Sequence, residues 1–242
     1  MAERLRGIVL RTVKYGERGL VVDMLTDQRG RLSIMANIGK GRRSTPSTGL
    51  LWRPLNMIEF EAEVRSSGPM PKPKSEHLYY VYTDLPYNYY KEMTAMFLSE
   101  FLSAALRNQE PDAVLYAYIE HALQWFDAAQ QGTANFHIFF VLRLLRLMGI
   151  APNTDDATPD AWFDLRNGCY TAVPPLHAHR LEPAEARWLA LLLRMDYATM
   201  HRFRLSRQGR HRILSVVNDF CRLHVPGFPE LRSLNVLSDV LD

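Results

Sequence analysis

Cysteine is scarce in this chain: 242 residues hold two, Cys169 and Cys221. Neither has a second Cys or His beside it at metal-ligand spacing, and both thiols read as reduced and structural. His177 and His179 lie near Cys169, but one thiol and an HxH pair do not complete a tetrahedral zinc site, and no metal or other cofactor is expected. Long apolar runs are missing too. No stretch reaches the roughly 18 residues that a membrane-spanning helix needs, and the opening MAERLRG lacks the apolar core of a signal peptide, so a cytoplasmic protein is expected. A Gly-rich phosphate cradle and an HExxH helix are likewise absent. The one loop cluster of carboxylates, Asp155, Asp156, Asp160 and Asp164, reads as a solvated acidic loop rather than as the metal-ion site of a nuclease.

One further absence is local. From Arg29 to Arg53 there is no Asp or Glu, while Arg29, Arg31, Lys40, Arg42, Arg43 and Arg53 all fall within that window. Residues 1–53 carry 11 Lys and Arg against 4 Asp and Glu, leaving 18 against 22 for the remainder, so charge is polarised along the chain. A glycine-rich basic loop of this kind is either a solvated loop or a contact surface for a polyanion. Lys14 joins the set on a neighbouring strand. Tyr15 and Trp52 lie beside these cations and supply aromatic rings of the kind that stack on bases, with core filling the alternative for Trp52.

The apolar pattern alternates first and becomes helical later. GIVLRTVKY (Gly7 to Tyr15), GLVVDMLTD (Gly19 to Asp27) and Arg31 to Ile38 read as an antiparallel meander, with Gly16 and Asp27 to Gly30 as its turns. LNMIEFEAEV reads as a fourth strand whose acidic face is opposite in sign to the basic loop, and HLYYVYTD as a fifth. Ser66 to Ser75, with three prolines, is a connecting loop. Five short strands in about 84 residues fit a small OB-type barrel. After Pro86 helices are expected at Tyr89 to Arg107, Asp112 to Ala129 and Asn135 to Met148, the last apolar almost all round and stopped by Gly149 and Pro152. Arg143 and Arg146 share one face of it, either pairing with acids of neighbouring helices, which the residues favour, or surfacing in a groove. Asn153 to Arg180 is irregular, with a hairpin around Trp162 to Ala172 turning at Asn167 and Gly168. Ala184 to Met195, Ser206 to His224 and Glu230 to Leu241 complete the helices. The middle one opens on Arg207, Arg210, His211 and Arg212, which oppose the helix dipole and hint at an acidic partner there. The fold class is thus α+β: a five-stranded OB-fold barrel over 1–84, then an all-α domain over 85–242 with a small insertion at about 153–180.

Several segments together resemble a known family. GIVLRTVKYGERGLVVDMLTDQRGRLSIMANIGKGRR, with Tyr15, Gly16, Glu17, Thr26 and Gly30, is similar to the first three strands and basic loop of RecO, the bacterial recombination mediators. LLWRPLNMIEFE resembles their fourth strand, FFVLRLLRLMGIAP (Phe139 to Pro152) their central helix and its stop, and LRSLNVL their closing motif, with Arg232 and Ser233 in place. The chain departs in one respect. Many members carry a four-cysteine zinc finger just after the central helix; here only Cys169 remains, so the hairpin must be held by packing alone.

The resemblance implies a non-catalytic DNA repair and recombination protein that binds single- and double-stranded DNA and anneals complementary strands. It also implies help in loading recombinase onto strands coated by single-strand-binding protein. Implied partners are RecR and the acidic, apolar-ended tail of single-strand-binding protein, with action in the bacterial cytoplasm at the nucleoid. The DNA-binding candidates are Lys14, Arg29, Arg31, Lys40, Arg42, Arg43, Trp52 and Arg53. A tail of that chemistry needs an apolar pocket rimmed by cations, for which Arg143, Arg146, Arg202 and Arg204 are the candidates. The alternative, a metal-dependent nuclease or other phosphoryl-transfer enzyme acting on DNA, needs clustered carboxylates in a cleft. A helix-turn-helix factor is disfavoured because the basic charge sits on the β-rich half.

Overall fold

The computed structural model describes residues 2–37, 48–65, 67–234 and 237. Contacts divide the chain into two compact units, Met1–Ala128 and Ala129–Asp242. In the first, β1 (Glu3–Tyr15), β2 (Gly19–Thr26), β3 (Gly30–Asn37), β4 (Met57–Ala62) and β5 (Lys74–Tyr80) form one antiparallel sheet in the order β3-β2-β1-β4-β5. β1 begins at Glu3, ahead of the expected Gly7, because it serves two partners. Its first six residues pair with β4, the stretch from Gly7 onward pairs with β2, and a bulge between Val9 and Arg11 bends it between them. The Met35 N–H donates to the Pro71 carbonyl at 2.9 Å, tying the β3 edge to the segment that enters β5 and curling the sheet into an OB-like barrel.

Alternation puts Leu5, Val9, Leu20, Val22, Met24, Ile34, Ile58 and Phe60 inside. Each such side chain contributes about 1.5–3 kcal/mol by leaving water. A single helical turn, α1 (Thr48–Leu51), precedes Trp52. β4 starts at Met57 because Leu55 takes a left-handed backbone (φ 66), held by its buried side chain and by its N–H donating to the Val9 carbonyl at 2.7 Å.

β5 stops at Tyr80, short of the expected Asp84, because the backbone beyond it turns to a carboxylate instead of a strand. Asp127, fully buried, accepts the N–H groups of Thr83, Asp84 and Leu85 at 2.7–3.2 Å and the hydroxyls of Thr83 and Tyr80. Burial alone would raise its pKa; the backbone donors of Leu85, Thr83 and Asp84 outweigh that and hold it below the usual carboxylate range. Lys91, also buried, pairs with Asp84 at 2.7 Å and donates to the Asp127 carbonyl at 2.8 Å. Those contacts lock α2 (Tyr89–Ala105) and α3 (Ala113–Ala128) to the end of β5, and both helices fall in the same compact unit as the barrel. Asn88 caps α2 and Asp112 caps α3. Gly30 lies beneath the α2–α3 loop. Its φ is 61, a Cβ there would collide with the Gln109 carbonyl oxygen, and the neighbouring Arg31 N–H donates to that oxygen at 2.8 Å.

In the second unit α4 (Phe136–Leu147) buries every residue from Phe136 to Leu145 except Arg143. Gly149 ends it with φ 74, and the Ile150 N–H returns to the Leu145 carbonyl at 3.0 Å. A small sheet follows, β6 (Trp162–Asp164), β7 (Cys169–Thr171) and β8 (Arg180–Leu181), ordered β7-β6-β8, so the expected hairpin acquires a third strand. Then come α5 (Pro183–Leu192) and α6 (Arg207–His224). The helix expected at Glu230 to Leu241 lies only partly within the described residues, which are helical at Ser233, Leu234 and Leu237.

Two expectations are corrected in this unit. Asp164 is not part of the acidic loop: it is buried, and it closes the β6–β7 turn by accepting the N–H groups of Arg166 and Asn167 and the Asn167 amide, with His177 Nε2 at 3.3 Å. Packing alone does not hold the hairpin, because this carboxylate anchors it as well. Phe163 packs edge-on against Tyr170, whose hydroxyl donates to the Ala186 carbonyl at 2.6 Å. Among the described residues no three His, Cys, Asp or Glu side chains gather as metal ligands. Cys221 is buried, which pushes its thiol up to about 12, and Cys169 is half-buried.

Candidate nucleic-acid interface

The barrel has two ends of opposite electrostatic character. At the β2–β3 turn, which also carries the start of β1, cations are matched to acids. Arg4 and Arg6 both bond Glu59 on β4, Arg6 at 3.0 Å; Arg29 pairs with Glu3 at 2.8 Å; Arg31 pairs with Asp23 at 3.0 Å and donates to the Ser103 carbonyl at 2.6 Å. The hydrogen bonds from Arg4 and Arg6 hold Glu59 below the usual carboxylate range. The acidic face of β4 is therefore answered at Glu59 by the start of β1. Thr26, buried, accepts the Arg29 N–H and donates to the Gly30 carbonyl, closing the turn.

At the β1–β2 hairpin end the cations stand apart. Arg11, Lys14, Arg18 and Arg53 are exposed and make no ion pair with a described residue. Thr12 donates to the Trp52 carbonyl at 2.7 Å, which brings Arg53 alongside the same hairpin as Lys14. Lys40, Arg42 and Arg43 lie outside the described residues.

The sequence-derived DNA-binding set thus divides. Lys14 and Arg53 meet at the hairpin end; Arg29 and Arg31 are committed to carboxylates at the other. Arg31 is also largely buried, its side chain 15% exposed. Trp52 is corrected outright. At 1% exposure it belongs to the barrel core and cannot stack on a base. The exposed ring of the neighbourhood is Tyr15, at 65%.

The four candidate partner-binding arginines divide as well. Arg143 and Arg146 are exposed and form no ion pair with a described residue, which corrects the favoured pairing; with Arg194, Phe139, Leu142 and Asp196 they line a cavity of about 200 Å³. Arg204 borders a different groove, between α5 and α6, of about 530 Å³, with Trp188 half-exposed beside it. Arg202 lines neither. The basic start of α6 answers contacts within its own unit: Arg212 clamps Glu185 at 2.7 and 2.9 Å, Arg210 donates to the Leu205 carbonyl, and Ser206 caps the helix.

Residue reasoning passed over the Asp127 hub, the Glu59 pairs and the close approach at Gly30. A lone acid in the apolar run LQWFDAA was the available signal for the first.

An OB-like barrel with open cations at one end, followed by a helical unit, has the build of a DNA-handling binding protein. Its residues 1–75 match the family model described as Recombination protein O N terminal, and residues 87–234 the one described as Recombination protein O C terminal. Similar curated proteins include the DNA repair protein RecO of Phocaeicola vulgatus, 42% identical over 240 residues with 99% of each chain covered. That of Bacteroides fragilis is 38% identical over 243 residues with full coverage, and that of Porphyromonas gingivalis 30% identical over 240 with 98% of each. The chain belongs to the Recombination protein O family, and with it to DNA repair and recombination, as a mediator rather than an enzyme. No helix among the described residues is long and apolar enough to cross a membrane.

Proposed function

We propose that the protein binds single- and double-stranded DNA at the hairpin end of its barrel, anneals complementary strands and assists recombinase loading onto strands coated by single-strand-binding protein. The observation that carries this reading is the exposed set Arg11, Lys14, Arg18 and Arg53, which lacks carboxylate partners among the described residues while the other end of the barrel is neutralised. Cations without internal partners are the ones free to displace counterions from phosphate. Lys40, Arg42 and Arg43 extend the set on sequence grounds. Such a surface favours annealing, because neutralising two strands at once lowers the repulsion between them.

The acidic, apolar-ended tail of single-strand-binding protein is assigned to the cavity of Arg143, Arg146 and Arg194. Three guanidiniums against one carboxylate, around Phe139 and Leu142, match a negative peptide with a terminal apolar ring better than the larger groove, where Arg212 is already held by Glu185. RecR is the second partner, and the nucleoid the site of action. Annealing of complementary oligonucleotides, measured for the full chain and for Lys14→Glu with Arg53→Glu, tests the DNA reading. The double variant should anneal slowly and lose affinity for both strand types, whereas unchanged rates would remove this end from the site. Calorimetry with the tail peptide against Arg143→Glu and Arg146→Glu tests the second site, and undiminished heat would move it.

A further inference from the structure

The hairpin end has a second face that the cation argument leaves unused. Residues paired across antiparallel strands point to the same side of the sheet. Thr12 and Lys14 pair with Val22 and Leu20, which face the core, so the intervening Arg11, Val13 and Tyr15 face outward. The register continues this outer row across three strands: Val13 opposes Val21, which opposes Met35, and Tyr15 opposes Gly19, which opposes Asn37. Val13 and Tyr15 are 43% and 65% exposed, and Val21 and Met35 half-buried. Gly19 offers Tyr15 no side chain across the ladder, so the ring stands at the border of an apolar strip. Arg11 shares this face and Arg18 lies in the adjoining turn, both exposed.

Given the DNA-binding reading above, on which this inference rests, we propose that Tyr15, with Val13, Val21 and Met35 beside it, is the platform on which an unpaired base of single-stranded DNA stacks. Bases in a duplex are already stacked and cannot reach a ring on a sheet surface; a single strand has free base faces and gains from any aromatic plane it meets. The neighbouring cations favour a polyanion over an apolar protein surface as the occupant. The two faces of the hairpin then separate two tasks: Lys14 and Arg53 hold phosphate on one, and Tyr15 distinguishes unpaired from paired strands on the other.

The test uses the full chain, a labelled oligo(dT) and a duplex of equal length, with affinities measured over a range of salt. Tyr15→Ala should weaken single-strand binding by about 5- to 150-fold, leave its salt dependence unchanged and leave duplex affinity within about twofold. Tyr15→Phe should bind like the parent, since stacking needs the ring and not the hydroxyl. A 2-aminopurine probe in the single strand should be quenched by the parent and by Tyr15→Phe but not by Tyr15→Ala. Parent-like single-strand binding by Tyr15→Ala would overturn the proposal, as would equal losses on both DNA forms, equal losses in the Ala and Phe variants, or binding of an apolar protein partner abolished by Tyr15→Ala with DNA unaffected. Should the parent bind neither DNA form, the DNA-binding reading itself fails and this inference with it.

Discussion

The two ends of the barrel carry similar numbers of arginines and put them to opposite uses. Where the β2–β3 turn meets the α2–α3 loop, Arg4, Arg6, Arg29 and Arg31 each find a carboxylate, and Gly30 lets the loop pack onto the strand. At the hairpin tip Arg11, Lys14, Arg18 and Arg53 find none among the described residues. The difference teaches that a cation count along the chain locates a basic region without saying which cations are available. Availability depends on which cation an acid of the sheet actually reaches: Asp23 stands opposite Arg11 in the ladder but bonds Arg31, and Glu59 bonds Arg4 diagonally as well as Arg6 across from it.

The largest effects should come from breaking the Gly30 contact at the closed end and the Asp127 hub at the far end of α3. Gly30→Val forces a side chain into the Gln109 carbonyl at a left-handed backbone, and Asp127→Ala takes the acceptor from three backbone N–H groups, that of Leu85 buried; each should cost about 3–5 kcal/mol in chemical denaturation. Loss of DNA binding in these variants should track the unfolded fraction. A folded, fully stable Gly30→Val protein would show that the turn does not depend on that close approach.

Acid should separate the two units. His137 on α4 is fully buried, and burial with the nearby Arg210 pushes its pKa down from 6.5 to about 3. A base depressed in the folded state takes up its proton first in the unfolded chain, so stability falls as pH drops below about 6.5 and continues to fall to about 3. The loss by pH 5 is about 2 kcal/mol. Glu59 acts in the same direction but at lower pH. Its pKa is depressed, so its stabilisation is present above about 4.5 and is lost only as pH falls through the lower folded value. Unfolding followed by pH should therefore show a first loss, between about pH 6 and 5, that His137→Leu removes. Survival of that acid limb in the variant would assign it elsewhere.

The smallest effect sharpens the contrast. Arg29→Ala removes an exposed, solvent-screened pair and should leave both stability and DNA affinity close to those of the parent. Lys14→Ala should leave stability unchanged and weaken DNA binding.

The strands and helices were readable because alternation and helical spacing are local signals; β2, β3, α2, α4 and the β6–β7 hairpin lie close to where the pattern puts them. The family resemblance rested partly on Thr26 and Gly30, and the structure gives both an architectural reason, a turn-closing hydroxyl and a missing Cβ. What was not readable is pairing at long sequence separation. Arg29 finds Glu3 and Arg4 finds Glu59 across the sheet, so a window free of acids looked uncommitted when part of it was not. Trp52 failed for a related reason: nearness in sequence to cations does not say which way a ring faces, and the barrel interior claims it. Tyr15 escapes that fate because outward alternation resumes beyond the bulge in β1.

The most direct test is the salt dependence of single-strand binding, plotted as log affinity against log salt, for two double variants of the full chain. In Lys14→Ala with Arg53→Ala the slope should flatten by about 0.7 for each phosphate left without its cation, about 1.4 in all. In Arg29→Ala with Arg31→Ala it should match the parent, at some cost in stability. A flattened slope in the second variant and a parent-like slope in the first would contradict the division of the barrel into a neutralised end and a DNA-binding end.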